Sequence, residues 1–78
     1  MKFIKYSNTV FNVKEIQSIN LKEDSIVINF YENIFWYLEM KKKERLPMYF
    51  YLICNDLDCK DNLICDLDHL KIDKHYLF

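Results

Sequence analysis

The sequence predicts an α+β domain: a small antiparallel sheet of five or six strands with one C-terminal helix packed on one face. Three observations predict it. Residues 2–6 and 9–13 alternate apolar and polar positions, the period of a half-buried strand. Aromatic and β-branched residues crowd positions 34–40 and 48–54, a composition that favours strands. Between residues 61 and 70 the period changes, and Leu63, Leu67 and Leu70 recur at helical spacing. The 78 residues make one domain, spanning positions 1–78, with no repeat or linker.

The elements follow in order. "KFIKY" and "TVFNV" flank Ser7-Asn8 and read as a hairpin, with Ile4 and Tyr6 on one face beside Thr9, Phe11 and Val13. "VKEI", residues 13–16, reads as a short helical turn. "IQSINL" and "SIVINFY" form a second pair around the loop "KEDS". The preferred register sets Ile19 and Leu21 beside Ile26 and Ile28, which puts the apolar residues on one face. "IFWYLEM", residues 34–40, follows Glu32-Asn33. A three-residue loop there puts Trp36 and Leu38 in the core with Ile28 and Phe30; a two-residue loop reverses the strand. "KKKERLP" reads as a polar loop, and Pro47 opens a further strand, "MYFYLIC", residues 48–54. The amphipathic helix is expected over 61–70, capped by Asp61 or Asn62. The tail "HYLF" is apolar and is expected to dock.

Composition sets limits on function. The chain is 51% hydrophobic and 17% aromatic, too apolar for intrinsic disorder. A chain this short buries only a little over ~60% of its unfolded surface, so its core is marginal and a bound partner would add to its stability. Its net charge of −1 supplies no whole-molecule attraction to nucleic acid. Glycine is absent, where ordinary usage of ~7% leads one to expect about five. Without it there is no phosphate-cradling loop of the P-loop or dinucleotide type. Positive-φ turns must then fall to Asn or Asp. The N-terminus lacks a signal-peptide core, and the longest apolar run, "MYFYLIC", is far short of the ~20 residues that span a bilayer. The expectation is a soluble, cytoplasmic protein with no membrane contact. Three cysteines without a secretory signal argue against a disulfide framework.

"CNDLDCKDNLICDLDH", residues 54–69, concentrates residues that bind metals. It does not fit a calcium loop. With Asp56 and Asp58 at the first and third positions, Lys60, Asp61 and Leu67 stand where a ligand, glycine and glutamate belong. As a zinc site it would use Cys54, Cys59, Cys65 and His69, a spacing without the usual CxxC knuckle. Cys65 and His69 have the spacing of a nucleophile and base but lack an oxyanion turn. The sequence therefore predicts no metal, no cofactor and no enzyme. Cys54 reads as a small core residue, and the aspartates read as a solvated edge.

Two surfaces remain as candidates for binding. "KKKER", residues 41–45, carries +3, while residues 55–73 hold six aspartates against two lysines. A ten-residue helix cannot shield both faces of a five-stranded sheet. Both faces of these strands are apolar, so the uncovered one is expected to carry Tyr37, Tyr49 and Tyr51 at its centre, with Tyr31 and Phe35 around them. Tyrosine suits such a face, because its ring makes contact while its hydroxyl tolerates water. Asp56, Asp58, Asp66 and Asp68 form the second candidate surface.

Small size, a composition typical of AT-rich coding, a strand-rich start and no catalytic signature together resemble small phage and mobile-element proteins of the anti-defence, anti-CRISPR type. The resemblance rests on the character of the whole chain and on no single motif. It implies a stoichiometric inhibitor that occludes a site on a nuclease complex, with an aspartate-rich face able to occupy a basic channel. Two alternatives stand beside it. One is a single-stranded nucleic-acid binder using an aromatic sheet face and "KKKER"; the slightly negative charge makes nucleic acid the less favoured partner. The other is a small structural homodimer.

Overall fold

The computed structural model describes residues 1–78. Seven strands and one α-helix form two sheets around a single core. β1 (Phe3–Tyr6) and β2 (Thr9–Asn12) make the expected hairpin, with Ile4 opposite Phe11 and Tyr6 opposite Thr9. A 3-10 turn at Val13–Glu15, capped by the Asn12 side chain, which accepts from the Lys14 N–H at 2.9 Å, leads into β3 (Ile16–Leu21). β4 (Ser25–Phe30) pairs with β3 so that Ile19 faces Ile28 and Leu21 faces Ile26, the register that the apolar pattern demands. β5 (Phe35–Glu39) follows a three-residue loop, Tyr31–Asn33, and puts Trp36 opposite Ile28 and Leu38 opposite Ile26. All four side chains are fully buried.

With no glycine in the chain, left-handed backbone falls to Ser7 (φ 56°), Glu32 (φ 68°) and Asn33 (φ 63°). Asn is among the residues that tolerate this region. Ser7 and Glu32 are not among the expected Asn and Asp. Ser7 has its backbone N–H bonded to the Asp68 carboxylate at 2.6 Å.

The second half of the chain departs from the sequence reading. Residues 45–54 are not a loop and a strand; they lie in α1 (Arg45–Asp58). An all-apolar run satisfies both periods, and composition pointed to the wrong one. The period that won is Leu46, Tyr49 and Ile53, which are buried, with Phe50 and Leu57 beside them. Pro47 stands in the first turn of this helix, where its missing N–H costs nothing.

Nor do residues 61–70 form a helix. They contain β6 (Ile64–Asp66), which runs parallel to β1, flanked by turns. Cys65 and Leu67 point inward while Leu63 and Ile64 are exposed, so the leucine stripe is not a helix face. The fold class stands: the domain is α+β, with one helix packed against sheet. The helix precedes the last two strands, and the strands form two sheets, ordered β2-β1-β6 and β3-β4-β5-β7. The tail docks as β7 (Lys74–Leu77), antiparallel to β5.

The core is one cluster of 13 residues drawn from both sheets and the helix. β1, β6 and α1 all supply buried side chains to the face of the larger sheet that carries Ile28 and Trp36. The opposite face of that sheet is left without a covering element. No helix is long and apolar enough to cross a membrane.

Candidate interaction face

Strand alternation decides what the uncovered face presents. In β4 and β5, Ile26, Ile28, Phe30, Trp36 and Leu38 point to the core, so Val27, Asn29, Phe35, Tyr37 and Glu39 point away. Register extends this layer in both directions. Asn20 lies opposite Val27, and Tyr76 lies opposite Tyr37. The β3 end is polar: the Asn20 and Asn29 side-chain amides both donate to the Ser18 hydroxyl, at 3.2 and 3.1 Å.

The β5–β7 end is aromatic. Phe35 and Phe78 stack with centroids 5.0 Å apart, and their backbones exchange two hydrogen bonds of 3.0 Å. Tyr37 meets Tyr76 at 5.7 Å, and Tyr76 lies nearly parallel to Phe78 at 6.3 Å. These four rings and Glu39 line an open trough of about 390 Å³. Tyr76 is 40% exposed and Phe78 64% exposed, large fractions for rings that already touch neighbours.

Polar groups frame the rings. The Tyr37 hydroxyl donates to Asp24 at 3.2 Å, which fixes that ring. Lys74 sits over the Tyr76 ring with its ammonium 5.5 Å from the centroid. The neighbouring Tyr76 hydroxyl, and after it the Glu39 carboxylate, push the Lys74 pKa up. The Lys41 N–H donates to the Asp73 carboxylate at 2.7 Å, which holds the turn carrying Lys41, Lys42 and Lys43 beside the start of β7.

The expected site residues separate into three groups. Phe35 and Tyr37 belong to this face. Tyr49 and Tyr51 do not, because they lie on α1 and not on a sheet strand. Tyr49 is buried in the core, its hydroxyl accepting from the Lys71 N–H at 3.4 Å. Tyr51 is 66% exposed on the solvent side of the helix. Tyr31 lies in the loop between β4 and β5 and is exposed.

The acidic residues are largely committed to holding the fold. Asp56 pairs with Lys2 and accepts from the Asn62 amide. Asp68 pairs with Lys5 and with the Ser7 N–H. Asp66 accepts from the Asp68 N–H at 2.9 Å, an Asx turn. Asp58 alone of the four has no such contact. Sequence reading missed Tyr76, Phe78 and Lys74. The signal was present: Lys74, Tyr76 and Phe78 alternate with His75 and Leu77.

Cys65 and His69 line one apolar depression of about 250 Å³ between α1 and β6. Burial, reinforced by the Asp56 carboxylate, pushes the Cys65 thiol up to about 12. A nucleophilic cysteine needs the opposite shift. Cys54 is half-buried on α1 and Cys59 is exposed at its end.

Comparison with protein-family models, curated proteins and solved structures finds no match for this chain.

Proposed function

We propose that this chain is a non-enzymatic protein-binding domain that engages another protein through the open face of the larger sheet. The observation that carries this reading is the layer of Phe35, Tyr37, Tyr76 and Phe78, four contiguous rings that no element of the chain covers. Buried interface centres favour such residues, and a patch of this kind on a small domain marks a contact surface. Binding is stoichiometric and acts by occlusion, with a defence nuclease complex as the partner class that the sequence resemblance suggests. The raised Cys65 pKa argues against a nucleophilic role for this thiol. Three free thiols, Cys54, Cys59 and Cys65, support a reducing, cytoplasmic setting.

One observation favours a second reading. Lys74 sits over one of the rings and the lysine turn 41–43 is held beside the start of β7, an arrangement suited to a single strand whose bases stack and whose phosphates meet ammonium groups.

A single experiment separates the two. Tagged protein is used for capture from host lysate, with and without nuclease, and the recovered partner is titrated against wild type and a Tyr37→Ala/Tyr76→Ala variant. The expected result is nuclease-resistant capture and a loss of about 2 kcal/mol or more in the variant, roughly thirtyfold. Capture that nuclease abolishes, with affinity that falls steeply in salt, would favour the nucleic-acid reading.

A further inference from the structure

We infer that β7 is a self-complementary edge, and that the partner it accepts is a second copy of this chain joined across the two larger sheets. The inference rests on the reading of the β5–β7 face as a docking surface and names an occupant for its edge.

β7 has one neighbour, β5, and its other side is open. Phe35 and Phe78 exchange both of their backbone bonds. By antiparallel alternation, Leu77 opposite Trp36 and His75 opposite Leu38 are then the pairs without mutual bonds. The N–H and C=O of His75 and Leu77 therefore point to the open side. Of the three other edges, β6 is three residues long and β3 carries a bulge between Ile16 and Ser18, while β2 is an uninterrupted four-residue strand and serves as the internal control. β7 has neither a bulge nor a proline.

One two-fold register satisfies all four outward groups. Centred on Tyr76, it sets His75 opposite the second copy's Leu77 and Leu77 opposite its His75, which makes four ladder bonds. Shifting the axis to His75 or to Leu77 leaves only two. The same register is consistent in its faces and charges. Tyr76 meets its own copy, and Lys74 meets a Phe78 ring, so no like charges are opposed. The rings of both copies then form one continuous aromatic surface on an eight-stranded sheet. A four-residue strand pair is a small interface, below the ~1,200 Å² of stable complexes, so association is weak and depends on concentration.

The test is sedimentation equilibrium of the wild type over a wide concentration range, with two variants. The expected weight-average mass rises from 9.7 kDa towards twice that value. Leu77→Pro removes an outward N–H while sparing the β5 ladder. It should keep its far-ultraviolet circular dichroism and weaken association by about tenfold or more.

Tyr76→Cys, in a Cys59→Ser background, reads the register directly. A pair without mutual bonds brings its Cα atoms to ~4.5 Å, within disulfide reach. Mild oxidation should link residue 76 to residue 76, identified by peptide mass, while Val10→Cys, exposed on the β2 edge, should stay unlinked.

A mass of 9.7 kDa at every concentration, or a dimer that Leu77→Pro leaves intact, overturns the inference. If the monomeric protein still loses its partner on Tyr37→Ala/Tyr76→Ala, the second copy is refuted and the docking face survives. If the monomer binds its partner undiminished in that variant, both are refuted.

Discussion

Tyr6 and His75 meet through the core side of the molecule, with the tyrosine hydroxyl 3.0 Å from His75 Nδ1 and the two rings edge to face at 5.1 Å. Tyr6 belongs to the sheet of β1 and His75 to the last strand of the other sheet. This contact therefore ties β7, and with it Tyr76 and Phe78, to the rest of the domain. Tyr6→Phe removes one hydrogen bond and keeps the ring. It should cost about 1 kcal/mol of stability. Amide hydrogen exchange should show the loss most strongly over residues 74–77, with the β3–β4 amides least affected.

Glu32 holds φ 68° in the loop that sets the register of β5. A residue with a Cβ costs roughly 1–2 kcal/mol in that region, and glycine avoids most of this cost. Glu32→Gly should raise stability by about 1 kcal/mol in urea denaturation. Insertion of one residue at the same loop should do the reverse, because it turns Trp36 and Leu38 out of the core.

The Cys65 thiol, raised to about 12, makes stability fall in alkali. Below the unfolded thiol's value, near 8.5, both states are protonated and nothing changes. Above it the unfolded chain ionises while the folded one does not. Stability then declines by up to ~1.4 kcal/mol per pH unit until the folded value is reached. Lys5, Tyr6 and Lys74, all raised, add decline of the same sign, so the comparison is with Cys65→Ala, whose slope between pH 9 and 11 should be shallower. In the native protein Cys59 should react rapidly with a thiol reagent and Cys65 only on unfolding.

Asp68 works in the other direction. Bonds from the Lys5 side chain and the Ser7 N–H hold its carboxyl below the usual range. A depressed folded value stabilises above the unfolded one, near 3.9, and that stability is lost as pH falls through the folded value. Acid titration of stability should therefore be less steep in Asp68→Asn than in the wild type, and Lys5→Met should lie between them.

The β1–β2 hairpin and the β3–β4 pair are legible because polar positions alternate with apolar ones along most of their strands, while β5 is legible only through its aromatic and β-branched content. That alternation fixes the Ile19–Ile28 and Leu21–Ile26 pairs, whereas the faces of Trp36 and Leu38 depend on the loop length, which only the structure supplies. Residues 45–58 offered no such alternation. Met48 to Cys54 are all apolar, so strand and helix patterns fitted equally, and only the wider stripe from Leu46 through Ile53 to Leu57 distinguishes them. The β1–β6 pairing lies beyond local pattern, since a parallel partner some sixty residues away leaves no turn signal. Phe35 and Tyr37 fall on the outward face as expected, because β5 is a strand with Trp36 and Leu38 turned to the core. Tyr49 was misplaced for the same reason that α1 was.

The most direct measurement is a hydrogen-exchange footprint of the domain bound to the protein it captures. The expected result is new protection at residues 35–39 and 74–77, with α1 unchanged. Protection confined to residues 48–58, where Met48, Tyr51 and Leu52 are exposed, would contradict the assignment and move the docking surface to the helix.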